Sequence, residues 1–588
     1  MSATPDIPGL RGAPMRTPVR SAGAGGGPEL WPALAGRMLT RQLWIELYGL
    51  PGYGLTLSGR KVEASAGAPR DPRPVDPEIG RAILEGRWVL AGAAMEAAAP
   101  EDPWNRPSPS QPFAARLHAF SWLPHLVAEG ERGAREAVRL VLLWDALFRR
   151  WSPFVWDPDR LARRLFNLAC AADHLAAVAT DSQREALTAC LARQARQALR
   201  PPDPVAGRAE RLIAVALAGG VLAAPVGPAL RRRALARLPR ALAENVGADG
   251  GHAARSPEAA LELLLDLLTL ADALSLAAEP LPESVVVAIG RLAGAVRTLS
   301  LPDGRLGSFH GGGPSRPQTV AAALALAGGP PEPGVAVGGF ARIHSPLLTV
   351  LADVAAAPHG AWGVDACAQP LALEICCGKD RLITGCGWTP LASDRQGLRL
   401  TPGHSTLTLG ETSLGQPLSG WRAEALGPRL SGRPYAVRTE RRDGDGAVWL
   451  EIEHDGWVPL YGLTHQRRLY LDQRMDELRA EERLHPPATR PEGIRQIAAP
   501  YAIRFHLEPG AQASLARDRR SILLRGHSSR GWWFRTDGPD VAIEPSVHVD
   551  GGLTRRSLQI VVRGSARTDA ETRIRWKLSP AGGVGDPV

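Results

Sequence analysis

Lysine is nearly missing from this chain: of 69 lysine and arginine residues, only Lys61, Lys379 and Lys577 are lysines. That skew reads as base composition rather than a selected phosphate-binding surface. The arginines are also interleaved with acids and form no long basic runs, so the net charge of +9 does not point to nucleic acid. An anionic polysaccharide stays compatible, because guanidinium forks match carboxylates and sulfates. Cysteine is scarce too. The six, Cys170, Cys190, Cys367, Cys376, Cys377 and Cys386, contain no C-x-x-C pair and no Cys/His spacing of a structural zinc site. They are expected to be buried free thiols, with adjacent Cys376 and Cys377 on opposite faces of a strand. No apolar run approaches the length of a membrane-spanning helix. The opening MSATPDIPGLRGAPMRTPVRSAGAGGGPEL lacks the apolar core of a secretory signal, and its composition predicts a disordered tail over residues 1–30.

Two periodicities divide what remains. From residue 31 to 330 the pattern is helical. EAVRLVLLWDALFRRW (136–151) places apolar residues three and four apart, as an amphipathic helix requires. Ser182 and Glu185 fit a capping box. Ser256-Pro257-Glu258 predicts a helix start with a serine cap, a first-turn proline and an acid at the positive end. The following AALELLLDLLTLADALSLA is apolar on most faces, as in a helix packed on two sides. About eight to eleven helices with short loops are expected, antiparallel to their neighbours, and PPDPVAG (201–207) breaks them. From 336 to 580 short β-rich runs take over, among them LALEICCG, HSTLTLG, AVWLEIEH, AIRFHLEPG and TRIRWKL. Runs of this kind predict a large antiparallel sandwich, joined to the helices through a Gly/Pro-rich hinge at 328–336.

Several segments narrow this outline. ADGGHAARSPEAALELLLDLLTL (248–270), LPDGRLGSFHGGG (301–313), PLALEICCGKDRLITGCG (370–387), GHSTLTLGETS (403–413), YGLTHQRRLYL (461–471) and AIRFHLEPG (502–510) together resemble the heparinase II/III-like family of bacterial polysaccharide lyases. The likeness runs from about residue 31 to 580 and is nearest to the alphaproteobacterial branch. It implies an α+β multidomain fold: an incomplete (α/α) toroid over 31–330, then an antiparallel β-sandwich over 336–580. It also implies β-elimination of a uronic-acid-containing acidic polysaccharide. Without a leader the chain is expected in the cytoplasm, with the periplasm or cell envelope as the alternative the resemblance suggests.

Elimination needs a base for the uronate C5 proton, an acid for the leaving oxygen and a donor that neutralises the carboxylate. His252 is the leading catalytic candidate, in a Gly-rich loop just before a capped helix. His404 is the second, at the position of a sandwich histidine that serves metal or substrate in some relatives. Arg255 and His310 are candidate substrate ligands. His465 and His506, in β-rich runs, are expected to be structural, and Arg468 and Arg504 to pair with nearby acids. Trp532-Trp533 could offer one ring to a sugar. Asp249 and Glu258 are the only carboxylate pair that suggests hydrolysis instead.

The resemblance also shows gaps. Active relatives carry a tyrosine shortly after the D-G-G-H-like loop, where this chain reads ARSPEAAL; the tyrosines of the helical half are Tyr48 and Tyr53. The metal-binding form of the sandwich needs a His-x-Asp-like cluster, but here Asp365 stands in GVDACAQP without an adjacent histidine. Gly385 occupies the place of a second ligand. No bound metal and no cofactor are expected. A catalytically degenerate carbohydrate-binding or envelope-glycan assembly protein on the same scaffold is therefore the alternative to a lyase.

Overall fold

A computed structural model describes residues 20–21, 31–59, 63–64, 67–313, 315–330, 332–390, 395–489, 498–528 and 530–582. The tail expected over 1–30 lies outside these residues apart from Arg20–Ser21, which pair in parallel with Thr412–Ser413.

Helices fill 31–327. Among the described residues nine are long, from Trp31–Gly49 to Pro317–Ala327, and four are short. Start signals in the sequence set their ends. Ser256 accepts the Ala259 N–H and Pro257 sits in the first turn of Pro257–Leu276, as its sequence predicts. The Ser182–Glu185 capping box is corrected. The helix starts at Asp181 with Thr180 as its cap, and Thr180 and Gln183 exchange the reciprocal bonds. Both T-D-S-Q and S-Q-R-E satisfy the pattern, and the earlier one wins because the helix extends back to it. The PPDPVAG break separates Asp181–Ala198 from Arg208–Gly220. Its Asp203 pairs with Arg208, Arg211 and Arg237, which fixes the turn. Asp266, buried on Pro257–Leu276, receives Arg73 and both terminal nitrogens of Arg163, tying the segment before Pro77–Leu84 to two core helices. No helix among the described residues is long and apolar enough to cross a membrane.

The helical run ends at Gly328, whose φ of 64° favours glycine, and the first sandwich strand, Ala336–Val337, starts across the expected hinge. Two sheets follow. The eight-stranded sheet runs from Val437–Gly444 through Ala447–His454, Thr464–Asp472, Glu477–His485, Thr572–Pro580, Gly531–Thr536 and Ser521–Arg525 to Gln512–Leu515. The nine-stranded sheet runs from Asp540–Asp550 through Leu553–Arg567, Ala498–Leu507, Asp380–Thr384, Leu373–Cys377, Leu348–Asp353 and Phe340–His344 to Ala336–Val337. Leu407–Leu409 pairs beside Ala498–Leu507.

Alternation along the strand Leu373–Cys377 builds two cores at once. Cys377 faces the interior between the sheets, while Cys376 joins Ala295, Leu299, Phe309, Val337 and Phe340 in a second core that welds helices to sandwich. The two thiols do lie on opposite faces, and all six cysteines are free.

Between the sheets lies a sealed ionic group. Glu482, fully buried, accepts from Arg467 Nε at 2.7 Å, Trp576 Nε1 at 2.9 Å and His465 Nε2 at 2.8 Å. His465 Nδ1 in turn meets His454 Nε2 at 3.2 Å. His465 is thus structural, as expected from its strand. Burial alone would raise the Glu482 carboxyl, but Arg467 and His465 hold it down to about 2. Glu482→Gln is expected to cost about 3–5 kcal/mol, because Arg467 would stay buried without its counter-charge. A thermal unfolding midpoint close to wild type would contradict this.

Candidate active site at the toroid–sandwich seam

The D-G-G-H loop lies directly against the sandwich. Asp249 accepts the Gly251 N–H at 3.0 Å and the Gly338 N–H at 2.7 Å, so its carboxylate bridges the two halves. The backbones touch here: a Cβ added to Gly251 would stand 2.3 Å from the Gly338 Cα, and only glycine fits. Asp249 is therefore engaged by the backbone of both halves.

Arg255 and His310, the two expected substrate ligands, meet each other and a third residue that sequence reasoning missed. Asp353 ends the strand Leu348–Asp353 and is 1% exposed. Its Oδ1 accepts from Arg255 Nη2 and from the Ala355 N–H. Its Oδ2 accepts from His310 Nε2 at 3.0 Å and Gln369 Nε2 at 2.9 Å. The remaining Arg255 donors go to the carbonyls of Gly338, Gly339, Ala355 and Ala356. All five guanidinium N–H groups are thereby filled by the protein, and the group lies over the Phe340 ring at 4.9 Å. His310 Nδ1 accepts the Cys367 N–H at 3.3 Å, so the proton sits on Nε2 toward Asp353. Burial lowers the His310 pKa. Burial also favours a neutral Asp353, but Arg255 and then His310 hold its carboxyl well below the usual carboxylate range. Both expected ligands thus have partners other than substrate: they clamp the toroid to the sandwich. No sequence signal marks Asp353, a lone acid at a strand end far from either partner.

The two catalytic candidates differ from this. His252, 7% exposed, accepts the Ala254 N–H on Nδ1 at 3.2 Å and stands edge-on to Trp362 at 5.8 Å. His404, 6% exposed, sits on the turn after Thr401–Gly403. Both have a buried Nε2 without a hydrogen-bond partner. Burial pushes His252 down to about 4. It pushes His404 down to about 3, assisted by His506 and His310. Both imidazoles are neutral at physiological pH. His404 shares its surroundings with the clamp, whereas His252 does not figure among its electrostatic neighbours. The turn that carries His404 is held from below: His506 Nε2 donates to the Pro402 carbonyl at 2.9 Å, and Nδ1 meets the Ser546 hydroxyl at 2.8 Å. His506 is structural here, as expected. A Cβ on Gly385 would stand 3.4 Å from His404 Nδ1. Glycine there leaves a space beside the imidazole where the family pattern places a ligand. Among the described residues no three His, Cys, Asp or Glu side chains converge on a metal position. The donor set does not fit the metal that the metal-binding sandwich form implies.

Helices packed on an antiparallel sandwich are the architecture that this chain shares with solved heparinases. The profile described as Heparinase II/III-like, C-terminal matches residues 327–577. Over 562 residues the chain is 46% identical to FtsZ-localized protein C of Caulobacter vibrioides, covering 95% of this chain and 97% of that one. The crystal structure of heparinase III superposes with a TM-score of 0.67 at 12% identity, covering 94% of this chain and 91% of the other. Heparan sulfate lyase HepC from Pedobacter heparinus gives a TM-score of 0.53 at 15% identity, over 89% and 86% of the two chains. At such identities these structures speak for the fold. The chain belongs to the heparinase II/III-like family.

Asp353→Asn is expected to lower stability by about 3–5 kcal/mol at neutral pH, because Arg255 would lose its buried counter-charge. The Asp353 carboxyl is depressed on folding, so its stabilisation is complete above about pH 4, the unfolded value, and shrinks as pH falls below it. Denaturation of wild type and variant across pH measures this. A gap that widens on acidification would contradict the assignment.

Proposed function

We propose that this chain is a polysaccharide lyase that cleaves a uronate-containing acidic polysaccharide by β-elimination at the toroid–sandwich seam. The observation that carries this reading is the pair of neutral, buried imidazoles, His404 and His252, each with Nε2 unpartnered. Leaving a buried polar atom unsatisfied costs about 1–3 kcal/mol, which a sugar hydroxyl or a transferring proton would offset. Neutral His404 supplies a base for the C5 proton, and His252, whose Nδ1 accepts the Ala254 N–H, presents its Nε2–H as a donor to the sugar. Arg255 and His310 act through the clamp, holding the loop that presents His252, while His506 holds the turn that carries His404. The fold of the family and its lyase members support this reaction class.

A second reading, a non-catalytic carbohydrate-binding or envelope-glycan assembly protein, is favoured by particular observations. The residues after the D-G-G-H loop carry no tyrosine, and the donors of Arg255 are filled. The relative that aligns along nearly the whole chain is named for localisation with FtsZ rather than for a reaction. If that location carries over, this chain works where FtsZ does.

Incubation of the full chain with a panel of uronate polysaccharides, followed by the ultraviolet absorbance of the unsaturated uronate product, separates the readings. The lyase reading expects product from wild type and a loss of about 100-fold or more in kcat for His404→Ala and His252→Ala. Glycan binding without product would establish the second reading.

A further inference from the structure

Glu258 stands where helix, returning loop and sandwich meet, and the clamp does not use it. It belongs to the first turn of Pro257–Leu276, just behind the Ser256 cap. Its Oε2 accepts the Gly313 N–H at 2.8 Å and a longer bond from the Thr389 hydroxyl at 3.4 Å. Gly313 ends the loop that carries His310, and Thr389 belongs to the sandwich, so both domains hold this carboxyl. The loop passes so close that a Cβ on Gly312 would stand 3.3 Å from the Glu258 Cβ, and one on Gly311 2.8 Å from the Asp365 Cβ. Glu258 is nonetheless only half-buried.

We propose that Glu258 is the catalytic acid that protonates the leaving glycosidic oxygen, in the stretch where the tyrosine is missing. This rests on the lyase reading above. His404 Nε2 takes the C5 proton, and the released electron pair forms the C4–C5 double bond. The C4–O4 bond breaks with its pair on O4, and the Glu258 carboxyl passes its proton to that oxygen and becomes a carboxylate. Proton exchange with water then returns the histidinium to imidazole and the carboxylate to acid.

The surroundings suit this role. Burial pushes the Glu258 carboxyl up to about 7, against the pull of the Gly313 N–H. An acid in that range is matched to neutral pH. The charged groups around it are Glu262 one turn along the same helix, which raises it, and Arg116 on Gln111–His118, which lowers it. Asp365, across Gly311, is itself raised by burial.

The test is the full chain as wild type, Glu258→Gln and Glu258→Asp, with a uronate polysaccharide that wild type cleaves. Glutamine keeps an acceptor for the Gly313 N–H but has no proton to give. Its kcat is expected to fall by about 100-fold or more with little change in KM, while aspartate keeps part of the activity. The wild-type rate should fall as pH rises through about 7, and that limb should be absent from the residual glutamine activity. Wild-type kcat in Glu258→Gln would overturn the role of Glu258 and leave the lyase reading intact. A raised KM with the pH limb unchanged would do the same. A wild-type chain that binds the polysaccharides and releases no unsaturated product would overturn both.

Discussion

Asp353 carries its charge into the seam between the two halves, and a buried carboxylate of this kind persists only while it is fully partnered. Arg255 and His310 reach it from the toroid side, Gln369 and the Ala355 N–H from the sandwich side. Because Arg255 also caps four carbonyls across Gly338, Gly339, Ala355 and Ala356, the clamp fixes the helical loops against the first strands. Everything proposed for the seam depends on this register: His252 precedes Arg255 by three residues, and Glu258 follows it by three. His310 lies on the loop that bonds Glu258.

Around that fixed point the polar groups fall into two kinds. Some are saturated: the Asp353 clamp and Asp266 between its two arginines. These rigidify the scaffold and leave nothing for a ligand. Others are incomplete: His252, His404, His548 and Arg467 have an orphaned nitrogen each, and Glu258 is half-buried with a raised proton affinity. Incompleteness next to saturation is how a rigid frame presents a reactive site.

Much of the architecture was legible in the sequence because its signals are local. The change of periodicity near 330, the Ser256 cap and the alternation at Cys376 and Cys377 need only neighbours along the chain. The capping box slipped by two residues because adjacent tetrapeptides satisfy one pattern. The site was legible in part. His252 drew notice as a loop histidine before a capped helix, and His404 through the resemblance to a sandwich histidine; each has one nitrogen without a partner. Arg255 was read as a partner for a substrate carboxylate, and His310 as lying on a loop that could face the same cleft. In the structure both bond Asp353, supplied by a strand about a hundred residues from Arg255, a separation that no spacing rule reaches.

The central claim is that a glycan occupies the seam and completes the unpartnered histidines. Its most direct test is an experimental structure of the His404→Ala chain with a bound uronate oligosaccharide. The account predicts a uronate ring in the seam, bonded to His252 Nε2 and within reach of the Glu258 carboxyl, its C5 facing the space His404 vacates. A sugar bound elsewhere, with His252 Nε2 still covered by protein, would contradict it.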